Sequence, residues 1–337
     1  MSMTHTGPPP LAVPDGDQEP APTPGPTAGP APADRRRIGD PVFRGIATAA
    51  GITILVVLAL VAAFLIAQGS PALTASNEAL TERGYGPFVE WVLPYAFGTL
   101  WAALLALAMA VPVSIGIALF ISHYAPRRLA RPLGYVIDLL AAVPSVVFGL
   151  WGSLTLAPAI RPLWSWLNAN VGWFPLFSGQ VSGTGRTILT AAIVLAVMVL
   201  PIITSLCREV FLQTPRLHEE AALALGATRW EMVKMAVLPF GRPGIIAAVM
   251  LGLGRALGET MAVAMVMSGG RNITFEVLTS DNPNTIAATI ALNFPESFGL
   301  KVNQLIAAGL VLFVITLGVN MFARWIVSRR AEYSGAN

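Results

Sequence analysis

The strongest constraint on the fold of this chain is the clustering of its apolar residues into six long runs, which polar connections separate. A helix rises about 1.5 Å per residue, so about 20 apolar residues suffice to cross the hydrocarbon core of a membrane. Each run is close to that length. The sequence therefore predicts an all-α integral membrane protein with six transmembrane helices, at roughly residues 46–67, 98–122, 135–160, 188–206, 243–268 and 304–327.

The composition agrees with a multi-pass membrane protein. Hydrophobic residues make up 55% of the chain and charged residues 12%, whereas soluble domains carry about 25% charged residues. The net charge of +3 does not indicate a nucleic-acid partner, because basic residues of membrane proteins concentrate in cytoplasmic loops. We expect contact with membrane lipids and no nucleic acid. Cys207 is the single cysteine, which excludes an intrachain disulfide.

The distribution of basic residues predicts that both termini are cytoplasmic. They cluster before the first run, in the second and fourth connections and after the sixth run, and such clusters stay inside. The first connection is acidic, and the third carries three tryptophans, as outer connections do. The basic residues behind this prediction are Arg35, Arg36, Arg37, Arg44, Arg127, Arg128, Arg131, Arg208, Arg216, Arg229, Lys234, Arg242, Arg324, Arg329 and Arg330.

Three regions follow from these patterns. Residues 1–40 are rich in proline and alanine without an apolar pattern, which predicts a disordered cytoplasmic tail. Residues 41–330 form the membrane domain, with a long cytoplasmic loop at 207–242. Residues 331–337 form a short cytoplasmic tail.

Four prolines interrupt the apolar runs. Each removes a backbone donor, and inside a membrane the freed carbonyl must face protein or a water-filled cavity. Any one of them fits a simple packing kink. Four across three helices favour a bundle that lines a path. They are Pro112, Pro144, Pro158 and Pro201.

The loop at 216–239 has a pattern of its own. Apolar residues at helical spacing predict a first short helix, which Gly226 ends. Thr228 and Glu231 then form a capping box for a second helix, which we expect to end at Pro239. Two amphipathic helices at a glycine elbow suit a groove on a partner protein. The alternative is a surface helix pair without a partner.

The spacing in this loop resembles the EAA loop of ATP-binding-cassette (ABC) importer permeases. In that family the loop docks onto a cytoplasmic ATPase and transmits ATP-driven motion. Ala236 stands where the family has isoleucine, which removes some apolar contact but keeps the spacing. The resemblance implies ATPase coupling through Glu220, Ala221, Ala222, Gly226, Leu238 and Pro239.

Residues 138–152, 182–201 and 254–263 narrow the resemblance to the PstC family, the C-type permeases of phosphate-specific importers, from about Phe43 onward. The resemblance implies the type I ABC importer permease fold and transport of inorganic phosphate. It also implies a non-catalytic subunit without a cofactor, since ATP and Mg would bind to the ATPase. The implied partners are an A-type sister permease (PstA-like), two ATPase subunits (PstB-like) and an extracytoplasmic phosphate-binding protein (PstS-like).

Arg255 and Glu259 lie inside the fifth apolar run. Four residues apart on a helix, they would share a face. Burying either charge alone in a membrane costs at least about 2.5 kcal/mol. One interpretation is a structural ion pair that locks the helix to a neighbour. The other is a polar station on the substrate pathway, where the arginine fork binds an oxyanion and Glu259 prevents trapping.

Asp138 and Ser145 are two further pathway candidates. Asp138 lies near the start of the third run, where an acid at a helix end is the alternative interpretation. Ser145 follows Pro144 and either bonds a freed carbonyl or faces the pathway.

The sequence gives little support for a catalytic site, a metal site or a phosphate-binding loop. No nucleophile–base set is evident, and the three histidines, His5, His123 and His218, lack metal-ligand spacing. The glycine-rich stretch 178–187 fails as a phosphate loop because Gln180 and Arg186 replace a required glycine and lysine.

Three other functions remain compatible with these residues. The permease could carry another oxyanion, such as sulfate or molybdate. The chain could instead be an ion-coupled secondary transporter that works alone, or a scaffold whose loop recruits a cytoplasmic partner.

Overall fold

The computed structural model describes the backbone of residues 39–331 and the side chains of residues 42–325. Within that range every regular element is helical, and Gly270 and Pro283 form an isolated bridge. Six segments of the described chain are long and apolar enough to cross a membrane, which confirms the predicted six-helix membrane fold. These segments are Val42–Thr74, Phe88–Tyr124, Ser145–Val171, Ile188–Leu212, Arg229–Gly258 and Leu300–Trp325.

The chain divides into two compact units, with the boundary between Val57 and Leu58 inside the first helix. The predicted tails at 1–40 and 331–337 lie outside the described residues, apart from Gly39, Asp40 and Ala331, which are helical.

Thirteen α-helices make up the described chain, and π-helical turns extend or join some of them. The π-helical turns are Phe120–Tyr124, Gly152–Leu156 and Val233–Val237. The helices are α1 (Gly39–Thr74), α2 (Asn77–Arg83), α3 (Phe88–Leu119), α4 (Arg127–Ala141), α5 (Ser145–Trp151), α6 (Ala157–Val171), α7 (Ile188–Leu212), α8 (Arg216–Ala224), α9 (Arg229–Met232), α10 (Leu238–Gly258), α11 (Met261–Val266), α12 (Ile286–Asn293) and α13 (Leu300–Ala331).

The centre of the bundle is α7, whose most apolar stretch is 67% buried, more than that of any other membrane-spanning segment. It packs most extensively against α3. On α3, Ala102, Ala103, Ala106 and Ala110 are all buried. Small side chains let two helices approach closely in a membrane, where no hydrophobic effect drives them together. The alanine face of α3 therefore explains this close pairing.

Two prolines are accommodated by π-helical turns, and one of them, Pro158, is among the four interrupting prolines. Pro158 follows the turn Gly152–Leu156 by two residues, and Pro239 lies at the same distance after the turn at 233–237. Proline leaves the carbonyl four residues before it without its usual donor, and a π turn changes the hydrogen-bond pattern there. The expectation that Pro239 ends the second loop helix is therefore wrong. The helix continues from Arg229 to Gly258.

The third membrane-spanning segment also differs from its prediction. Residues 135–141 belong to α4, a separate amphipathic helix that stops at Ala141. The segment itself begins at Ser145, after Pro144. The apolar run is continuous in sequence, but the helix breaks before Pro144, because the residue before a proline avoids the helical conformation.

The long connection between α11 and α13 folds back into the bundle. Thr99 Oγ1 of α3 accepts a hydrogen bond from the backbone amide of Ile286 at 2.9 Å. Thr285 caps α12 by accepting from the amide of Ala288 at 3.2 Å. A Cβ atom at Gly98 would lie 2.5 Å from the carbonyl oxygen of Asn284, so the glycine makes this contact possible.

Candidate functional site

The charges of the fifth apolar run lie on two sides of a helix break. Arg255 is in the last turn of α10, which ends at Gly258. Glu259 is extended, with φ −68° and ψ 130°, and its Oε1 accepts a hydrogen bond from the backbone amide of Ala262 at 3.1 Å. Arg255 and Glu259 therefore do not share a helix face, and they form no ion pair in the described chain. Both sequence interpretations had assumed one continuous helix.

Each of these charges matches a helix end. A cation in the last turn of a helix faces the negative end of the helix dipole, and an anion before the first turn faces the positive end. Arg255 satisfies the first condition on α10, and Glu259 satisfies the second on α11. Glu259 is buried, with 8% of its surface exposed, whereas Arg255 is exposed.

Arg255 lines a cavity of about 630 Å³, here called the pathway cavity. Most of its wall is apolar, and Asn320 of α13 is the second side chain with polar hydrogen-bonding groups. Neither Arg255 nor Asn320 makes a side-chain hydrogen bond to another described residue. Both can therefore donate to a ligand. The lining residues are Ile202, Ala247, Met250, Leu251, Gly254, Arg255 and Asn320.

Asn320 lines the pathway cavity but was not predicted from the sequence. Asp138 and Ser145, which were predicted, lie outside the cavity. Asp138 is exposed on α4, outside the membrane-spanning segments, so it does not begin the third segment as expected. Ser145 is the half-buried first residue of α5. Neither lines the pathway cavity, so the structure does not bring the four sequence-predicted pathway residues together.

The loop between α7 and α10 forms the expected elbow. Helix α8 ends at Ala224, and Gly226 has φ +85°, a left-handed conformation that glycine adopts without strain. Thr228 Oγ1 then accepts from the amide of Glu231, whose carboxylate accepts from the amide of Thr228. This capping box confirms the predicted start of the second helix. We call residues 216–232 the docking elbow.

The docking elbow presents apolar side chains to solvent. Leu225, at its tip, is 90% exposed and Leu217 is 75% exposed. A cleft of about 260 Å³ beside it is lined by His218, Ala222, Met235, Ala236 and Phe240. Exposed apolar groups around a cleft are typical of a protein–protein contact.

The six residues of the EAA pattern are spread over this elbow and the helix that follows. Four of them are exposed, while Ala222 and Leu238 are half-buried and pack against the bundle core. The exposed ones are Glu220, Ala221, Gly226 and Pro239.

A second relation at the elbow was not foreseen. His123, in the π-helical turn that ends the second membrane-spanning segment, places Nε2 3.4 Å from Oε1 of Glu219 on α8. The two residues are 96 positions apart, so no local pattern reports the contact.

Comparison with known proteins decides the family. Residues 110–332 match the family described as binding-protein-dependent transport system inner membrane component. The phosphate transport system permease protein PstC 2 of Mycobacterium tuberculosis is 47% identical over 306 residues, covering 88% of this chain and 94% of that protein. The chain belongs to this family, and within it to the PstC permeases. It is thus a multi-pass subunit of an ABC importer in the bacterial cell membrane.

More distant PstC relatives and solved structures agree with this family assignment. PstC of Mesorhizobium japonicum is 40% identical over 311 residues, covering 90% of this chain and 94% of that protein. A bacterial alginate ABC transporter, solved with a periplasmic protein bound to an alginate pentasaccharide, matches 89% of this chain and 100% of its own. The identity is 17% and the TM-score 0.55, which supports the importer permease fold alone.

Proposed function

We propose that this PstC permease moves inorganic phosphate through the pathway cavity and that Arg255 is its anion-binding group. The observation that carries the proposal is a guanidinium without a protein partner among the described residues, facing a largely apolar cavity in a membrane-spanning helix. An arginine fork offers several donors at once to a tetrahedral oxyanion. Asn320, across the same cavity, adds neutral donors and acceptors without adding charge.

The docking elbow is the site at which the permease receives energy. Its exposed leucines and the adjacent cleft suit a groove on a cytoplasmic ATPase. The arginine-rich end of the bundle, and both termini with their tails at 1–40 and 331–337, then lie in the cytoplasm, as the distribution of basic residues predicts. ATP and Mg bind to the ATPase, and this chain has neither cofactor nor catalytic role.

A complete importer needs further subunits. The pathway cavity is lined from one side by α7, α10 and α13. An A-type sister permease supplies the opposite side. Two ATPase subunits bind below, and a phosphate-binding protein delivers substrate to the outer face. The family description, binding-protein-dependent transport, supports the last of these partners.

The test is ATP-dependent uptake of radiolabelled phosphate into vesicles that contain the assembled complex. Arg255→Gln removes the cation and should abolish uptake while the partners remain bound, and Arg255→Lys should restore part of it. Arg161→Gln is the matched control, because Arg161 is an exposed arginine on α6 that does not line the cavity. Normal uptake by Arg255→Gln would refute the role of Arg255.

Two additions to the same assay separate the competing functions. Excess sulfate or molybdate should leave phosphate uptake unchanged, and strong competition by either would change the proposed substrate. Vesicles that contain the permease chains without the ATPase should show no uptake. Uptake there would instead identify an ion-coupled transporter, and wild-type complexes that move nothing would point to a scaffold.

A further inference from the structure

One polar contact ties the docking elbow to the second membrane-spanning segment. It joins His123 Nε2 to Glu219 Oε1 over 3.4 Å. Among the side chains of residues 42–325 it is the only contact between an acidic and a basic group within 4 Å. The histidine side chain is 8% exposed and the glutamate side chain 23% exposed, so water screens this pair less than a surface pair.

The imidazole ring of His123 is held on both sides. Its Nδ1 lies 2.7 Å from Ser122 Oγ, and that hydroxyl also lies 2.8 Å from the carbonyl oxygen of Ala118, to which it donates. Each ring nitrogen therefore has a polar contact, and the two contacts together restrict the orientation of the ring.

Helix α8 has few other attachments to the bundle. None of its residues is fully buried, and Ala222 is its one side chain that packs, half-buried, against the bundle core. Its chain ends lead to α7 and α9, not to α3. Without the contact between His123 and Glu219, α8 would have no polar link to the second membrane-spanning segment among the described residues.

A cavity of about 260 Å³ lies next to this pair. The cavity leaves room for α8 to move relative to α3, which a tightly packed contact would prevent. Arg229 of α9 and Glu219 both line this cavity. The lining residues are Ser122, His123, Tyr124, Glu219, Leu223, Arg229, Met232 and Val233.

We propose that His123 and Glu219 are positioning residues that transmit movement of the docking elbow to the second membrane-spanning segment. The inference rests on the proposed docking of an ATPase at this elbow. When the ATPase displaces α8, the contact draws the end of α3 with it. If the contact is lost, ATP hydrolysis still moves α8, but α3 follows less and fewer phosphate ions cross for each ATP.

The experiment compares His123→Leu with wild type in vesicles that contain the complete complex, and measures ATP hydrolysed and phosphate imported together. We expect the ratio of ATP to phosphate to rise several-fold in His123→Leu, with the ATPase still co-purifying. His123→Gln, which keeps a donor near the position of Nε2, should restore most of the coupling. Tyr124→Phe is the control, because Tyr124 lines the same cavity and its hydroxyl makes no hydrogen bond to a described residue.

A double-mutant comparison tests whether His123 and Glu219 affect coupling through the same contact. Glu219→Leu removes the acceptor and should raise the ratio on its own, and combining it with His123→Leu should raise the ratio no further, because both changes remove the same contact. An unchanged ratio in His123→Leu, with the ATPase bound, would overturn the inference. An ATPase that fails to bind even the wild-type permease would instead overturn the proposed docking.

Discussion

Arg255 closes the last turn of α10, and Glu259, four residues later, caps the first turn of α11 through the amide of Ala262. The two charges thus stabilise two different helices on either side of a break.

A helix-cap hydrogen bond contributes about 0.5–2 kcal/mol. We expect Glu259→Ala to lower the melting temperature of the purified complex. Glu259→Gln keeps an acceptor and should retain both stability and phosphate uptake. If Glu259→Gln is stable but inactive, the carboxylate charge itself belongs to the pathway.

A charge introduced at position 320 should affect substrate binding more than a change in side-chain size does. Asn320→Asp places a carboxylate in the cavity that Arg255 lines, where it repels an anion and competes for the guanidinium. We expect the apparent affinity for phosphate to fall by about tenfold, which corresponds to about 1.4 kcal/mol. Asn320→Ala removes the amide without adding charge and should have a smaller effect. Equal uptake curves for Asn320→Asp and wild type would show that Asn320 does not contribute to the substrate pathway.

Because Gly226 has a left-handed backbone conformation, substitutions at this position should differ in how much backbone strain they cause. An added Cβ would meet nothing within 4 Å there, so strain alone decides the outcome. Asparagine tolerates this conformation and should preserve ATP-driven uptake, whereas the β-branched valine should not. Gly226→Asp, with a charge at the tip, should also uncouple transport while the chain still inserts. Normal uptake together with normal ATPase co-purification in Gly226→Val would contradict the role of the elbow.

Gly98 and Gly116 of α3 form a matched pair that tests the contact between α3 and the connection from α11 to α13. A Cβ atom at Gly98 would lie 2.5 Å from the carbonyl oxygen of Asn284, and one at Gly116 would meet nothing within 4 Å. Gly98→Ala should therefore lower the melting temperature, because backbone must move to admit the methyl group. Gly116→Ala should raise it slightly, since alanine favours a helix over glycine by about 1 kcal/mol. Equal changes in melting temperature for both variants would show that the backbone near Asn284 moves at little energetic cost to admit the added methyl group.

Local patterns account for much of this fold. Apolar length located all six membrane-spanning segments, and the spacing of Thr228 and Glu231 located the start of the second loop helix. Both signals lie within a few turns of chain. The break before Ser145 and the continuation through Pro239 were not foreseen. Proline signals an interruption, but neighbouring packing decides whether the helix stops or adopts a π turn.

The site was harder to predict for a related reason. Arg255 and Glu259 have the spacing of a helical pair, and sequence alone does not report that the helix ends between them. Asn320 reaches the cavity from α13, and His123 meets Glu219 across 96 positions. Such relations depend on how distant helices pack, and a single sequence carries no periodic signal for that.

The continuous helix from Arg229 to Gly258 has 30 residues, so it is about 45 Å long. The docking elbow leads into one end of it, and Arg255 lies near the other. Along its length Gly244 and Gly252 let it pack closely on Val210 and Ile203 of α7. If an ATPase pushes the elbow as proposed, α7 is the support against which this helix would turn, and Arg255 would move with the helix. The break at Glu259 separates α11 from this helix, so the proposed anion-binding side chain of Arg255 would change position without a matching movement of α11.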